Sequence, residues 1–465
     1  MSLEWAGSSP ELLLAVDRTG TVPLRAQLEH GLRDAIRTGR LRVGERLPSS
    51  RELARTLRLS RGLVQECYAQ LQAEGYLVTR PGSATRVAAG TCDPPAAAAP
   101  PAAPPPLLAD FRASVPDLGA FPVQDWLWAV REAARALPVS ALDYGDPRGS
   151  AELREVLAGY LRRVRAAAAE PEHLVVCNGY AQGLGLALRV LADTGVRSVA
   201  FEDPGSPGTV RAAAAAAGLH AVPVPVDDHG LDVAALDATG ARAVVVTPAH
   251  QWPTGVVLAP ERRLALADWA RRRDAVVVED DYDAEFRYDR EPVGALQGLA
   301  PDRVIAIGTV SKTLVPALRI GWMLCPPGLT GPVTEHKYLS DRGTPTLDQL
   351  ALARLMASGR FDRHLRRMRV RYAARRTALL DALAAHAPGL PVTGLAAGFH
   401  AVAHLPEGAA EQDVVTAASA RRVGLYGIGA CRAARTGPAQ IVLGYGNVPR
   451  RAVAEGIAAV GDLLT

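Results

Sequence analysis

Lysine is almost missing from this chain: of its 52 basic side chains only Lys312 and Lys337 are lysine, and the rest are arginine. Where positive charge alone is needed arginine serves, so a retained lysine marks a task that a guanidinium cannot perform. Imine formation is such a task, because a desolvated amine can lose its proton and attack an aldehyde while arginine stays protonated. Cysteine is also scarce. The five residues Cys67, Cys92, Cys177, Cys325 and Cys431 show no CxxC, and the ten histidines show no HExxH; the one HxxxH, His400 to His404, has no cysteine or acidic residue beside it. That excludes a disulfide framework and leaves no ligand spacing from which to expect a metal site. No apolar run is long enough to span a bilayer, and the N-terminus lacks a basic stretch followed by an apolar one. A soluble, cytoplasmic chain with no membrane partner is expected.

What is present is a 465-residue chain, 48% hydrophobic, long enough for more than one domain. Its net charge of +4 is unevenly placed. Residues 1–90 carry 13 arginines against 9 acidic residues, which accounts for the whole excess, and the remainder of the chain is balanced. Excess positive charge on one segment is the electrostatic footprint of a polyanion partner for that segment. Between the charged segment and the rest runs AAGTCDPPAAAAPPAAPPPLLA, rich in proline and alanine and without a periodic apolar face. We read residues 89–109 as a linker that favours extended polyproline II, at about 3.1 Å per residue. The domains predicted on either side are 12–88 and 110–465.

In the first domain Leu24, Leu28, Leu32, Ala35 and Ile36 recur at helical spacing and Gly39 closes the pattern. After Val43-Gly44-Glu45-Arg46-Leu47-Pro48, the pair Ser49-Ser50 can cap a second helix carrying Leu53, Ala54 and Leu57. Ser60 can cap a third, with Leu63, Val64, Cys67, Tyr68 and Leu71 on its buried side. Two short helices joined by a tight turn make a helix-turn-helix, and the alternation from Glu74 to Val87 about a glycine-bearing turn reads as a β-hairpin wing.

The stretch LPSSRELARTLRLSRGLVQECYAQLQAEGYLVTRPGSATRV resembles the winged helix-turn-helix of the GntR family of bacterial regulators. The resemblance implies double-stranded operator DNA as a partner, a recognition helix starting at Ser60-Arg61, and DNA contacts from Arg51 and Arg61. Gln65, Arg80, Ser83 and Thr85 are further expected contacts. Capped helix N-termini with nearby arginines suit phosphates, and arginine can read guanine bidentately.

Beyond residue 110 apolar strand-like runs alternate with alanine- and leucine-rich helical stretches, an α/β pattern. Strand ends carry Asp280-Asp281-Tyr282, Thr309-Val310-Ser311-Lys312 and Thr247-Pro248-Ala249-His250. Open α/β sheets bind ligands at such ends. These pieces resemble the fold type I aminotransferases, and with the first domain attached the whole chain resembles the MocR/GabR subfamily of GntR regulators. The resemblance implies pyridoxal 5′-phosphate as cofactor and Lys312 as its imine-forming residue. Asp280 would pair with the pyridinium nitrogen and Tyr282 with the phenolic oxygen. Thr309, Ser311 and Arg319 would hold the phosphate, helped by the loop that carries Gly179, Tyr180 and Ala181. Tyr144, five residues before Gly149 in YGDPRG, matches the tyrosine that reaches a neighbouring subunit's phosphate, which implies a homodimer.

Three departures from the aminotransferase pattern stand out. Ser206 occupies the place of the aromatic that stacks on the cofactor ring. His250-Gln251-Trp252-Pro253 lacks the usual asparagine, leaving the oxygen contact to His250 or Gln251. Val442 falls where an arginine clamps the substrate α-carboxylate, with Arg432 or Arg435 as substitutes. Two functions compete. One is a regulator sensing pyridoxal phosphate or a small amine or amino acid that reacts with it, with control of vitamin B6 supply as the favoured role. The other is a working aminotransferase with a DNA-binding extension. The loss of the clamp favours the regulator, because turnover needs an oriented substrate.

Overall fold

The computed structural model describes residue 14 and residues 16–79, 84–88, 106–288, 294–434 and 437–465. The chain divides into two compact units, Met1–Pro104 and Pro105–Thr465. Among the described residues no helix is long and apolar enough to cross a membrane.

The first unit holds helices α1 (Leu24–Arg37), α2 (Ser50–Thr56) and α3 (Arg61–Ala73), then strands β1 (Leu77–Val78) and β2 (Arg86–Val87), paired antiparallel. Both predicted caps form. The Ser49 hydroxyl accepts from the Glu52 N–H and the Ser60 hydroxyl from the Leu63 N–H, each at 3.2 Å. Each satisfies an amide that a helix start otherwise leaves unpaired. Leu28, Leu32, Ile36, Leu53, Val64, Cys67 and Leu71 meet in one core that β1 and β2 close with Leu77 and Val87. Burial of these side chains from three helices fixes their mutual orientation, and their 3.6-residue repeat is what made the helices legible.

The second unit begins with β3 (Ala109–Asp110) and is built on an eight-stranded sheet of β4 (Leu174–Cys177), β5 (Ser198–Asp203), β6 (His220–Asp227), β7 (Gly230–Leu231), β8 (Ala243–Val246), β9 (Val276–Asp281), β10 (Val304–Thr309) and β11 (Gly321–Leu324). Their order across the sheet is β4-β11-β10-β9-β8-β5-β6-β7. β10, β9, β8, β5 and β6 run parallel, so their carboxyl ends gather on one edge. Helices cover both faces, which is why Ala243–Val246 and Leu174–Cys177 are buried along their whole length. A smaller antiparallel sheet brings together Val392–Thr393, His400–His404, Gln440–Gly444 and Tyr426–Gly427.

The second unit is already ordered before residue 110. Ala109–Asp110 pairs with Val423–Gly424, the Leu108 N–H donates to the Arg422 carbonyl, and the Arg422 guanidinium donates to the Pro106 carbonyl. The last residues of the stretch read as linker therefore belong to this unit, because backbone pairing outweighs their proline-rich context.

Candidate functional site

The carboxyl ends of the parallel strands open onto a cavity of about 370 Å³. Asp280 reaches it from the end of β9, Tyr282 from just beyond, Thr309 from the end of β10, and Ser311 and Lys312 from the turn that follows. Tyr180 and Ala181, the first residues of the helix Tyr180–Asp193, wall it together with Arg319. Residues far apart in sequence thus converge because β9, β10 and, across β11, β4 end on the same edge of the sheet.

The Lys312 amine donates to the Ser114 carbonyl at 2.5 Å. Burial holds its pKa below the ordinary lysine value, opposed by Asp280 and Asp283. Desolvation of this kind favours the neutral, nucleophilic amine. Asp280 is pushed well above the usual carboxylate range by burial, with the Lys312 charge acting the other way. Its Oδ1 is buried without a hydrogen-bond partner. An orphaned buried acceptor at a cavity wall calls for a donor from whatever occupies the cavity.

The same cavity gathers groups suited to hold an anion. Gly179, at φ +86°, turns the chain from β4 into the helix and exposes the first-turn amides. The positive φ favours glycine, and a Cβ at this position would crowd the Arg319 guanidinium at 3.1 Å. Arg319 itself sits at φ +52°, a left-handed conformation that side chains seldom adopt, and its guanidinium donates to the Asn178 carbonyl at 2.6 Å. The Thr309 and Ser311 hydroxyls lie 2.8 Å apart beside it. These residues fit pyridoxal phosphate: an unpartnered acceptor for a ring N–H, an amine for an aldehyde, and amides, hydroxyls and a guanidinium for a phosphate.

Other expected residues fall elsewhere. His250 is buried behind the wall: its Nδ1 lies 2.8 Å from the Asp283 carboxylate, and its ring centroid is 4.5 Å from that of His400. Tyr282 donates its hydroxyl to the His250 carbonyl at 3.0 Å. His250 therefore braces Tyr282 from behind and does not itself wall the cavity, because the buried carboxylate of Asp283 draws its ring away. Gln251 is likewise engaged, donating to Glu202 and to the carbonyls of Pro204 and Trp252. Tyr144 is 74% exposed, away from the cavity walls, with the Arg342 guanidinium 5.9 Å from its ring centroid.

Val442 packs with Val402, Ile428 and Trp252 in an apolar cluster. Arg432 turns to Gln440 and Glu411, and Arg435 lies outside the described residues. Among the described residues that wall the cavity, Arg319 is the one guanidinium. Ser206 does face the cavity, and the aromatic rings among its walls are Tyr180, Phe201, Trp252 and Tyr282.

Sequence reasoning missed two groups. Glu202 walls the cavity with its Oε2 accepting from the Thr247 N–H at 3.0 Å and hydroxyl at 2.6 Å, and burial raises its pKa to about 7. The second is the trio His250, Asp283 and His400, whose potential ligand atoms lie within 4.8 Å of one another. Neither shows a local motif, since 45 residues separate Glu202 from Thr247 and 117 separate Asp283 from His400.

On the first unit Arg51, Ser60, Arg61 and Gln65 are exposed along the starts of α2 and α3. Arg25 and Arg33, by contrast, are ion-paired to Glu29 and Glu74. No ion pair engages Arg51 or Arg61 among the described residues. Thr85 is half-buried with its hydroxyl 2.9 Å from that of Thr79, while Arg80 and Ser83 lie outside the described residues.

Comparison with known proteins bears on both units. Residues 111–426 match the family model "Aminotransferase class I and II", and residues 24–87 match "Bacterial regulatory proteins, gntR family". The chain is 33% identical to the probable rhizopine catabolism regulatory protein MocR of Rhizobium meliloti, covering 96% of this chain and 94% of that protein. It is 32% identical to the HTH-type pyridoxine biosynthesis transcriptional regulator PdxR of Corynebacterium glutamicum, over 84% of this chain and 85% of the relative. Among solved structures, kynurenine aminotransferase of Pyrococcus horikoshii superposes with a TM-score of 0.70 at 26% identity, covering 77% of this chain and 90% of that one.

Proposed function

Since the chain belongs to the MocR/GabR subfamily of GntR-family regulators, a winged helix-turn-helix fused to an aminotransferase class I and II domain, we propose that it is a transcriptional regulator. It binds operator DNA through its first unit and senses pyridoxal 5′-phosphate, or an amine that reacts with it, in the cavity of its second. Lys312 attaches the cofactor, Asp280 and Tyr282 hold its ring, and Thr309, Ser311, Arg319 and the amides after Gly179 hold its phosphate. Bound there, the cofactor supplies an electron sink for bonds beside an attached amine. Tyr144, exposed on its own subunit, serves the cavity of a second copy in a homodimer. The likeness to a pyridoxine biosynthesis regulator supports pyridoxal phosphate itself as effector and vitamin B6 supply as the controlled process.

The observation that carries regulation over catalysis is the apolar cluster around Val442. An amino acid entering this cavity meets no described guanidinium beyond Arg319, which the phosphate occupies, so its α-carboxylate is not oriented. Without that orientation, proton removal from the attached amine is slow. The competing reading, a working aminotransferase, is favoured by the otherwise complete cofactor set. Keto-acid release from a panel of amino donors separates them: we expect less than one turnover over minutes. Multiple turnovers at about one per second or faster would establish the aminotransferase.

A further inference from the structure

The second of the two lysines is fully buried. Lys337 lies in the helix Pro327–Asp341 with 0% of its surface exposed. A buried ammonium persists only where its charge is matched and its hydrogens are bound. Here both oxygens of Asp341 accept from Nζ, at 2.7 and 2.8 Å.

Asp341 does more than neutralise Lys337. Its Oδ2 also accepts from the Asn178 side-chain amide at 3.0 Å and from the Gln182 side-chain amide at 2.7 Å. Gln182 in turn accepts the Asn178 backbone N–H through its Oε1 at 2.8 Å. Asn178 and Gln182 bracket Gly179, Tyr180 and Ala181, the start of the helix whose first two residues wall the cavity. The Asn178 carbonyl is the group to which Arg319 donates. One carboxylate, locked by one buried lysine, therefore fixes both ends of the cradle loop and, through Asn178, the guanidinium over it.

We propose that Lys337 and Asp341 are positioning residues for the anion cradle, setting its affinity for the phosphate of a phosphorylated ligand without touching that ligand. The inference rests on the reading of the cavity as a pyridoxal phosphate site. It also accounts for the retained lysine: a compact ammonium on a flexible stem can sit between the carboxylate oxygens of a neighbouring turn, where a planar guanidinium is wider and binds through a fixed fork. In a chain that otherwise uses arginine throughout, both lysines thus serve one site, Lys312 at its reacting end and Lys337 behind its anionic end.

The test compares pyridoxal 5′-phosphate with pyridoxal, which differ by the phosphate alone, as ligands of the full chain. Binding is titrated through the visible absorbance of the lysine-bound ligand in the wild type, Lys337→Met, Asp341→Asn and the double variant. The double variant removes both charges together and remains informative if a single change leaves an uncompensated buried charge and a misfolded chain. Loss of residues that orient a ligand-binding group costs about 10- to 100-fold in affinity at metal sites. A fall of about tenfold or more is therefore expected for pyridoxal phosphate, with pyridoxal affinity unchanged and competition by inorganic phosphate weakened in parallel. Affinities for both ligands that fall together would mean general structural support and overturn the proposal, as would no change in either. A wild type that attaches neither ligand at Lys312 would instead refute the cofactor reading, and this inference with it.

Discussion

Lys312 is the residue on which the cofactor reading turns. It meets the two conditions for imine chemistry: burial that favours the neutral amine, and a neighbouring carboxylate, Asp280, whose Oδ1 has no partner in the protein. Incubation with pyridoxal phosphate followed by borohydride reduction should therefore leave one adduct, on Lys312, located by peptide mass mapping. Lys312→Ala should carry none, and an adduct persisting in that variant would place the chemistry elsewhere. Glu202 offers a separate check through pH. Burial raises its pKa from the ordinary 4.5 to about 7. The folded chain then binds a proton that the unfolded chain has lost, so this residue's contribution to stability is full below about pH 4.5, declines as pH rises, and is gone above about pH 7. The slope is at most about 1.4 kcal/mol per pH unit. Glu202→Gln keeps an oxygen for Thr247 and removes the titration. The stability of the wild type relative to this variant should fall between about pH 4.5 and about pH 7 in denaturant unfolding, and a pH-independent difference would contradict the assignment.

At the scale of elements, the starts of α2 and α3 combine three features that suit DNA phosphates and base edges: hydroxyl caps, first-turn amides and the exposed arginines Arg51 and Arg61. Arg61→Ala should weaken operator binding by about 1–3 kcal/mol if it reads a base, or flatten the salt dependence by about one counterion if it contacts a phosphate. Fluorescence anisotropy across a salt series distinguishes these, and unchanged affinity and slope would remove Arg61 from the interface. The helices themselves were legible in sequence because Leu28, Leu32, Val64 and Leu71 repeat at the period of the element they bury. So were the strand ends, since Asp280, Thr309 and Lys312 each follow an apolar run. The Asp341 network was not, because Asn178, Gln182 and Asp341 meet only when β4 and the helix Pro327–Asp341 lie side by side. His250 shows the converse: its place after a strand was correctly read, but the direction of its ring depends on Asp283, which sequence spacing does not reveal.

At the scale of the whole molecule, a GntR-type helix-turn-helix unit is joined in one chain to an aminotransferase-like unit whose cavity has one guanidinium, Arg319, among its described walls. A ligand can shift a regulator only by binding its alternative states unequally, so attachment at Lys312 must change the affinity of the first unit for DNA. The most direct test measures full-chain binding to its own operator, recovered by genome-wide mapping of bound fragments, with and without pyridoxal phosphate, in the wild type and in Lys312→Ala. The account predicts that pyridoxal phosphate changes the affinity of the wild type and leaves that of Lys312→Ala unmoved. Equal affinities in the wild type with and without pyridoxal phosphate, or the same shift in both proteins, would contradict it.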